Sequence, residues 1–220
     1  MLETLEHETR SNPDWCVLWL HGLGADGHDF APIVPELLRP DWPALRFVFP
    51  HAPVRPITVN NGARMRAWYD IAGFDIASRQ DAAGVAQSVG QVAELIAREG
   101  ERGIPPERIL LAGFSQGGAI ALAAGLQQPR ALAGVVALST YLPVAEATVA
   151  ASTEAGRGTP VFMAHGSQDP VVPEQLGLMS RDRLRGLGVQ VDWHSYPMAH
   201  QVCREEIDAL ATWMQARLVA

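Results

Sequence analysis

The spacing of hydrophobic residues along the chain indicates alternating strands and helices. Short continuous apolar runs, such as 15–20 (WCVLWL) and 108–114 (RILLAGF), are typical of strands buried on both faces. Between such runs, as in 85–96, apolar residues recur three and four positions apart, which predicts amphipathic helices. The sequence therefore predicts the α/β fold class, with a mostly parallel central sheet flanked by helices.

The pattern predicts six strands and five helices in one domain over residues 15–220, preceded by a polar extension over residues 1–14. The strands are expected at 15–20, 45–49, 108–114, 132–138, 159–164 and 189–196. The helices are expected at 26–38, 85–96, 116–128, 173–187 and 204–219, with Pro32 and Pro35 limiting the first of them. A long irregular stretch, 50–76, is expected to be functional because loops of this length are uncommon inside compact domains.

Composition narrows the classes of function. All 17 basic residues are arginine, which excludes both a P-loop lysine and a Schiff-base lysine. The net charge of -7 argues against nucleic acid as a partner. Cys16 and Cys203 have no metal-site spacing and are expected to be reduced thiols. Because no signal peptide or run of roughly 18 apolar residues is visible, we expect a cytoplasmic protein without integral membrane association.

The segment 113–117 (GFSQG) is a G-x-S-x-G motif between a predicted strand and a predicted helix. In that context the serine lies on a sharp, strained turn that requires glycine on both sides. Ser115 is therefore the candidate nucleophile. The N–H of Gln116, at the start of the helix, is a candidate oxyanion donor. A tight turn with an incidental serine is the alternative.

A serine nucleophile needs a histidine base and an acid that orients the histidine. His200 lies in the predicted loop after the last strand, at the same sheet edge as Ser115. Asp169 follows the fifth predicted strand, and the order serine, aspartate, histidine is that of α/β-hydrolases. The rivals His194 and Asp192 fall inside a predicted strand, where a structural role is favoured.

The loop after the first predicted strand, 21–24 (HGLG), is expected to supply a second oxyanion donor, the N–H of Leu23. The overlapping segment 22–27 also matches the dinucleotide-binding pattern G-x-G-x-x-G. That site requires an acid near the end of the second strand, whereas this strand ends at 49–52 (FPHA). We therefore do not expect a dinucleotide, and acyl transfer through a serine, a histidine and an aspartate requires no other cofactor and no metal.

These segments together resemble the carboxylesterase/acyl-protein thioesterase family. The resemblance rests, in chain order, on LHGLGADGHDF, FPHAP, WYDI, LAGFSQGGAIAL, LSTYLP, MAHGSQDPVVP and YPMAH. It implies a single-domain α/β-hydrolase without a large lid domain, with Ser115 as nucleophile, Asp169 as acid and His200 as base. It also implies oxyanion roles for Leu23 and Gln116. Family members are often homodimers, which no feature of this sequence tests.

The segment 59–69 (VNNGARMRAWY) resembles the substrate loop of that family. The residues expected to line an acyl groove, in this segment and after the strand 132–138, are Met65, Trp68, Ile71, Tyr141 and Leu142. A surface loop that Trp68 pins in place is the alternative.

Three functions remain open at this point. The first is a serine carboxylesterase that hydrolyses short- to medium-chain esters through an acyl-enzyme. The second is an acyl-protein thioesterase, which uses the same chemistry on a thioester. The third is a catalytically silent α/β-hydrolase that binds a hydrophobic ligand, which would need none of Ser115, Asp169 and His200.

Overall fold

The structure is a computed structural model that describes residues 1–73 and 80–218. Its strands are β1 (Thr4–Glu8), β2 (Trp15–Leu20), β3 (Leu45–Pro50), β4 (Val54–Ile57), β5 (Ala63–Arg66), β6 (Ile109–Phe114), β7 (Gly134–Leu138), β8 (Val161–Gly166) and β9 (Val191–Tyr196). Its α-helices are α1 (Val34–Leu37), α2 (Ala82–Glu101), α3 (Gln116–Leu126), α4 (Ala145–Ala150), α5 (Glu154–Arg157), α6 (Glu174–Gly186) and α7 (Arg204–Leu218).

The central sheet has seven strands in the order β1-β3-β2-β6-β7-β8-β9. All pairs are parallel except β1 with β3. Strand β6 is the middle strand, and the strands that follow it along the chain add one after another on one side. Because parallel strands end at the same edge, the loops after β2, β6, β7, β8 and β9 lie together. The mostly parallel sheet predicted from the sequence is confirmed.

Two hydrophobic clusters cover the two faces of the sheet. In β2, Cys16, Leu18 and Leu20 pack with α2 and α3, whereas Val17 and Trp19 face α1 and α7. This double burial explains why the strand is apolar at every position instead of alternating. All eleven residues of α3 are buried, and its small side chains let it lie close to the sheet.

Residues 1–14 are predicted from the sequence to be a polar extension that precedes the domain. In the structure, this segment contributes strand β1 to the central sheet. Residues of β1 pair with β3 along the whole strand, with Leu5 opposite Phe49. Leu5 is the one apolar residue of β1, and its neighbours are largely exposed. An edge strand of this kind lacks the apolar run or alternation that identifies a buried strand, so the hydrophobic pattern missed it.

The predicted helix at 26–38 is much shorter in the structure. It consists of a 3₁₀ turn (Ala31–Ile33) followed by the single turn α1. Pro32 and Pro35 each lie in the first turn of one of these pieces, where proline needs no hydrogen-bonded N–H. The prolines therefore break the segment into two short turns.

The long stretch 50–76 contains an antiparallel hairpin, β4 with β5, that the sequence analysis did not predict. Residues 74–76 lie outside the described residues. Helices α4 and α5 were also not predicted, because each is too short to show a helical period. Within the described residues, no helix has the length and apolar character needed to cross a membrane.

Both cysteines are free thiols. Cys16 is completely buried in the core, and burial raises the pKa of its thiol. It therefore serves as a small hydrophobic side chain. Cys203 is only partly buried and immediately precedes α7.

One carboxyl group in the first turn of α7 is wholly buried. Glu206 is 0% exposed. Burial raises its pKa from the usual 4.5 to about 8, against the opposing effect of the Cys203 N–H. Between these two pH values the folded protein keeps a proton that the unfolded chain has lost. The free energy of unfolding must therefore fall as the pH rises through this window.

We predict that Glu206→Gln removes this dependence on pH. Relative to the variant, the wild type should lose up to about 1.4 kcal/mol of unfolding free energy per pH unit between about pH 5 and pH 8. Urea denaturation of both proteins across that range measures the difference. The exposed neighbour provides the control, because Glu205→Gln should leave the slope unchanged. Parallel curves for wild type and Glu206→Gln would contradict the assignment.

Candidate active site

A cavity of about 280 Å³ opens at the carboxyl edge of the sheet, where the loops after the parallel strands meet. Its lining comprises Gly22, Leu23, Ala25, Asp29, Tyr69, Ile71, Phe114, Ser115, Gln116, Tyr141, Val171, Val172 and His200. These residues come from loops far apart in the sequence. The cavity is therefore a product of the sheet topology.

Ser115 occupies the sharp turn between β6 and α3. Its backbone angles are φ 53° and ψ -120°, a conformation that costs a non-glycine residue about 1–3 kcal/mol. The N–H of Ser115 donates to the carbonyl of Leu138 at 2.8 Å, and the hydroxyl of Thr140 donates to the carbonyl of Ser115 at 2.7 Å. The end of β7 thus holds the strained residue from both sides.

The two glycines of the motif are required by close backbone contacts. A Cβ on Gly113 would lie 2.4 Å from the carbonyl carbon and oxygen of Gly117, and a Cβ on Gly117 would lie 2.3 Å from the carbonyl oxygen of Leu20. Real Cβ atoms do not approach backbone this closely. The steric requirement predicted from the motif is therefore confirmed.

Ser115, His200 and Asp169 form a continuous chain of hydrogen bonds. His200 Nε2 is 2.9 Å from Ser115 Oγ, and His200 Nδ1 is 2.6 Å from Asp169 Oδ2. Because a carboxylate can only accept, Nδ1 carries the proton and Nε2 presents its lone pair to the serine. The structure thus brings together the three residues selected from the sequence, with the histidine in the tautomer a base requires.

The carboxylate of Asp169 is rigidly held. Its side chain is completely buried, and its Oδ1 accepts the N–H groups of Val171 and Val172 at 2.8 and 2.9 Å. His165 is also buried and packs beside it, with its Nε2 hydrogen-bonded to the carbonyl of Val172 at 2.8 Å. Burial lowers the pKa of His165, which keeps this ring neutral. These contacts hold the loop that aims Asp169 at His200.

The rival residues His194 and Asp192 lie elsewhere. Both are in β9, at the edge of the sheet, and they contact each other at 3.2 Å. Their side chains are 33% and 52% exposed, and neither lines the cavity. The sequence-based preference for Asp169 and His200 agrees with this geometry.

The N–H groups of Leu23 and Gln116 lie on residues that line the cavity beside Ser115. In the described part of the chain, neither N–H has a hydrogen-bond acceptor within the protein. The N–H of Gln116 also belongs to the first turn of α3, where the helix dipole favours negative charge. The two groups are therefore available to an oxygen atom in the cavity.

Only part of the expected acyl groove lines this cavity. Ile71 and Tyr141 do so, whereas Leu142 is buried against a neighbouring groove and Met65 lies in the hairpin strand β5. Trp68 is 0% exposed, and its indole N–H donates to the carbonyl of His21 at 2.8 Å. Trp68 is therefore not a wall residue but a buried anchor, as in the alternative considered from the sequence.

Three contacts that support the site were not predicted from the sequence. The ring of Phe114 lies 4.8 Å from the imidazole of His200, so it restricts the movement of that ring. The side chain of Gln116 accepts the N–H of Trp68 and donates to the carbonyl of Tyr69, each at 2.8 Å. Phe114 and Gln116 belong to the motif, but a motif does not reveal which way its variable side chains point.

A larger groove lies next to the cavity. It has a volume of about 670 Å³, and Tyr141 belongs to the walls of both. The hydroxyl of Tyr141 bonds that of Tyr69 at 2.8 Å. The other residues of the groove are Gln80, Leu142, Val144, Ala145, Glu146, Ala147, Leu176, Met179, Ser180 and Arg183.

One cluster has the composition of a metal site. Potential ligand atoms of Asp26, His28 and His51 lie within 4.8 Å of one another. However, His51 Nδ1 accepts the N–H of Gly27 at 3.1 Å, so the neutral ring carries its proton on Nε2. His28 Nδ1 is already paired with Asp26 at 3.0 Å. The free nitrogen of His51 therefore has no lone pair for a metal, and the cluster does not support a metal site.

The fold and the cavity define an α/β-hydrolase. The model of the phospholipase/carboxylesterase family matches residues 7–218, and the chain belongs to this family. An acyl-protein thioesterase 1 from Neurospora crassa is 42% identical over 211 residues, covering 92% of this chain and 86% of that protein. A probable carboxylesterase from Oryza sativa subsp. japonica is 36% identical, covering 93% of this chain and 78% of that protein.

Solved structures show the same relationship. The crystal structure of Arabidopsis thaliana SOBER1 matches with a TM-score of 0.88 and 33% identity, covering 93% of this chain and 99% of that chain. The crystal structure of Zea mays acyl-protein thioesterase 2 matches with a TM-score of 0.83 and 29% identity, covering 97% and 99%. The chain is thus a hydrolase of the carboxylesterase/acyl-protein thioesterase type.

Proposed function

We propose that this protein is a serine hydrolase that cleaves acyl esters and thioesters through a covalent acyl-enzyme on Ser115. The observation that carries the proposal is the hydrogen-bond chain from Ser115 Oγ through His200 to Asp169. A binding protein would need neither the ordered carboxylate nor the strained serine. The catalytically silent alternative is therefore disfavoured.

The mechanism has two steps. His200 Nε2 removes the proton of Ser115 as the oxygen attacks the acyl carbonyl, and the N–H groups of Leu23 and Gln116 bind the resulting oxyanion. Collapse of this intermediate expels the thiol or alcohol, which takes the proton from His200. Water then attacks the acyl-enzyme with His200 again as base, releasing the carboxylic acid and free Ser115. Asp169 stabilises the charged imidazole throughout.

Two substrate classes fit this chemistry. The small cavity beside Ser115 supports short- to medium-chain carboxylic esters, the class favoured by the sequence analysis. The second class is acyl thioesters of protein cysteines. The groove beyond Tyr141, with Leu142, Leu176 and Met179 in its walls, supports longer acyl chains of such substrates. The similarity to acyl-protein thioesterases also favours this second class. We therefore place acyl thioesters on protein cysteines ahead of small esters as the substrate.

We predict that wild type hydrolyses both p-nitrophenyl esters and an S-acylated cysteine peptide, and that Ser115→Ala lowers kcat by roughly a million-fold on both. Acyl chains from acetyl to palmitoyl should be compared. Ser152→Ala, which removes a hydroxyl outside the cavity lining, should retain wild-type rates. A loss below tenfold in Ser115→Ala would rule out Ser115 as nucleophile.

A second prediction concerns the groove. Met179 is 59% exposed, so substitution there should leave folding intact. Met179→Glu places a charge beside the acyl chain and should raise KM for a palmitoyl substrate about tenfold, the equivalent of two lost methylene contacts at about 0.8 kcal/mol each. Steady-state kinetics should show unchanged KM for an acetyl substrate. Met179→Leu is the matched control, and equal effects on both chain lengths would exclude the groove as the acyl site.

A further inference from the structure

We propose that His21 is a positioning residue that aims the Leu23 N–H at the oxyanion. The proposal rests on the function proposed above, in which this N–H binds the oxyanion. His21 follows β2 directly, and only 1% of it is exposed. Its side chain is not part of the cavity lining, and its ring nitrogens bond the backbone of the lining residue Gly22 and of Ala52.

These two bonds fix where the ring carries its proton. His21 Nε2 is 3.0 Å from the N–H of Ala52, and His21 Nδ1 is 2.7 Å from the carbonyl oxygen of Gly22. The N–H of Ala52 can only donate, so Nε2 must be the acceptor. The proton therefore lies on Nδ1 and is donated to Gly22. Burial lowers the pKa of His21, which keeps the ring neutral and this arrangement intact.

The bond to Gly22 controls the direction of the Leu23 N–H. The carbonyl of Gly22 and the N–H of Leu23 belong to one planar peptide unit and point in opposite directions. Fixing the carbonyl toward His21 therefore turns the N–H away from it. The N–H of Ala25 also donates to the same carbonyl, at 3.3 Å, which helps to hold the plane.

The peptide that His21 holds lies directly against the nucleophile. A Cβ on Gly22 would be 3.6 Å from the Cβ of Ser115. On the other side, the carbonyl of His21 accepts the indole N–H of Trp68, and the N–H of Trp68 bonds the side chain of Gln116. A rotation of the Gly22–Leu23 peptide would thus change the oxyanion site without moving Ser115.

Two amide substitutions separate this role from a general structural role. The side-chain N–H of Asn can replace Nδ1 and donate to Gly22, whereas the oxygen of Gln can replace Nε2 and accept from Ala52. Each variant keeps one of the two buried hydrogen bonds. If His21 acted only in stability, His21→Asn and His21→Gln should behave alike.

We expect His21→Gln to lower kcat about 10- to 100-fold with KM within about threefold, approaching the loss seen when an oxyanion donor is removed. His21→Asn should keep kcat within about fivefold. A trifluoromethyl ketone inhibitor, which forms a tetrahedral adduct with the serine, should bind His21→Gln more weakly in proportion to the fall in kcat/KM. Urea denaturation should show similar unfolding midpoints for the two variants.

If the wild type is active, equal losses of kcat in both variants, or a change confined to KM, would overturn the positioning role of His21 and leave the proposed function standing. An inactive wild type would instead reject the proposed function, and the role of His21 with it. Nitrogen-15 NMR of the wild type tests the proposal even if a variant fails to fold. A neutral ring protonated on Nδ1 is expected for His21 at neutral pH, and a ring protonated on Nε2 would contradict the proposal.

Discussion

The strained turn at Ser115 is the constraint on which the rest of the site depends. A serine with positive φ between a buried strand and a buried helix is stable only because its neighbours hold it. Gly113 and Gly117 lie so close to neighbouring backbone atoms that any side chain at either position would collide with them. Leu138, at the end of β7, and Thr140, just after it, form hydrogen bonds with Ser115. Packing in the middle of the sheet offsets the conformational strain of Ser115.

The other parts of the site follow from the position of that turn. Because β6 is the middle strand, the ends of β7, β8 and β9 lie along one side of it and the end of β2 along the other. One side supplies Asp169 and His200, and the other supplies Leu23. A buried network centred on Trp68 joins the two segments that carry the proposed oxyanion donors, since its two N–H groups bond Gln116 and His21. Trp68 therefore ties the start of α3 to the loop after β2, independently of the contacts that hold Ser115.

The sequence predicted the parallel strands and the turn at Ser115 because both depend on strong local patterns, whereas Asp169 and His200 were selected from chain order and from the sheet edge at which their loops lie. A strand buried on both faces must be apolar throughout, and the turn must have its glycines. The edge strand β1 has one apolar residue, so its sequence has no comparable hydrophobic pattern. Trp68 was assigned to a groove because the segment 59–69 resembles the substrate loop of the family. Its burial depends on hydrogen bonds between segments distant in sequence, which no local pattern contains.

The central claim is that the acyl group is transferred to Ser115, and trapping that intermediate tests it most directly. When deacylation is the slower step, a p-nitrophenyl ester mixed with enzyme and quenched in acid within the first turnover should leave about one acyl group per protein molecule, and peptide mass mapping should place it on Ser115. Release of p-nitrophenol should show a burst of the same size if deacylation is the slower step. A burst of p-nitrophenol without an acyl-enzyme, or an acyl group on a different residue, would contradict the account.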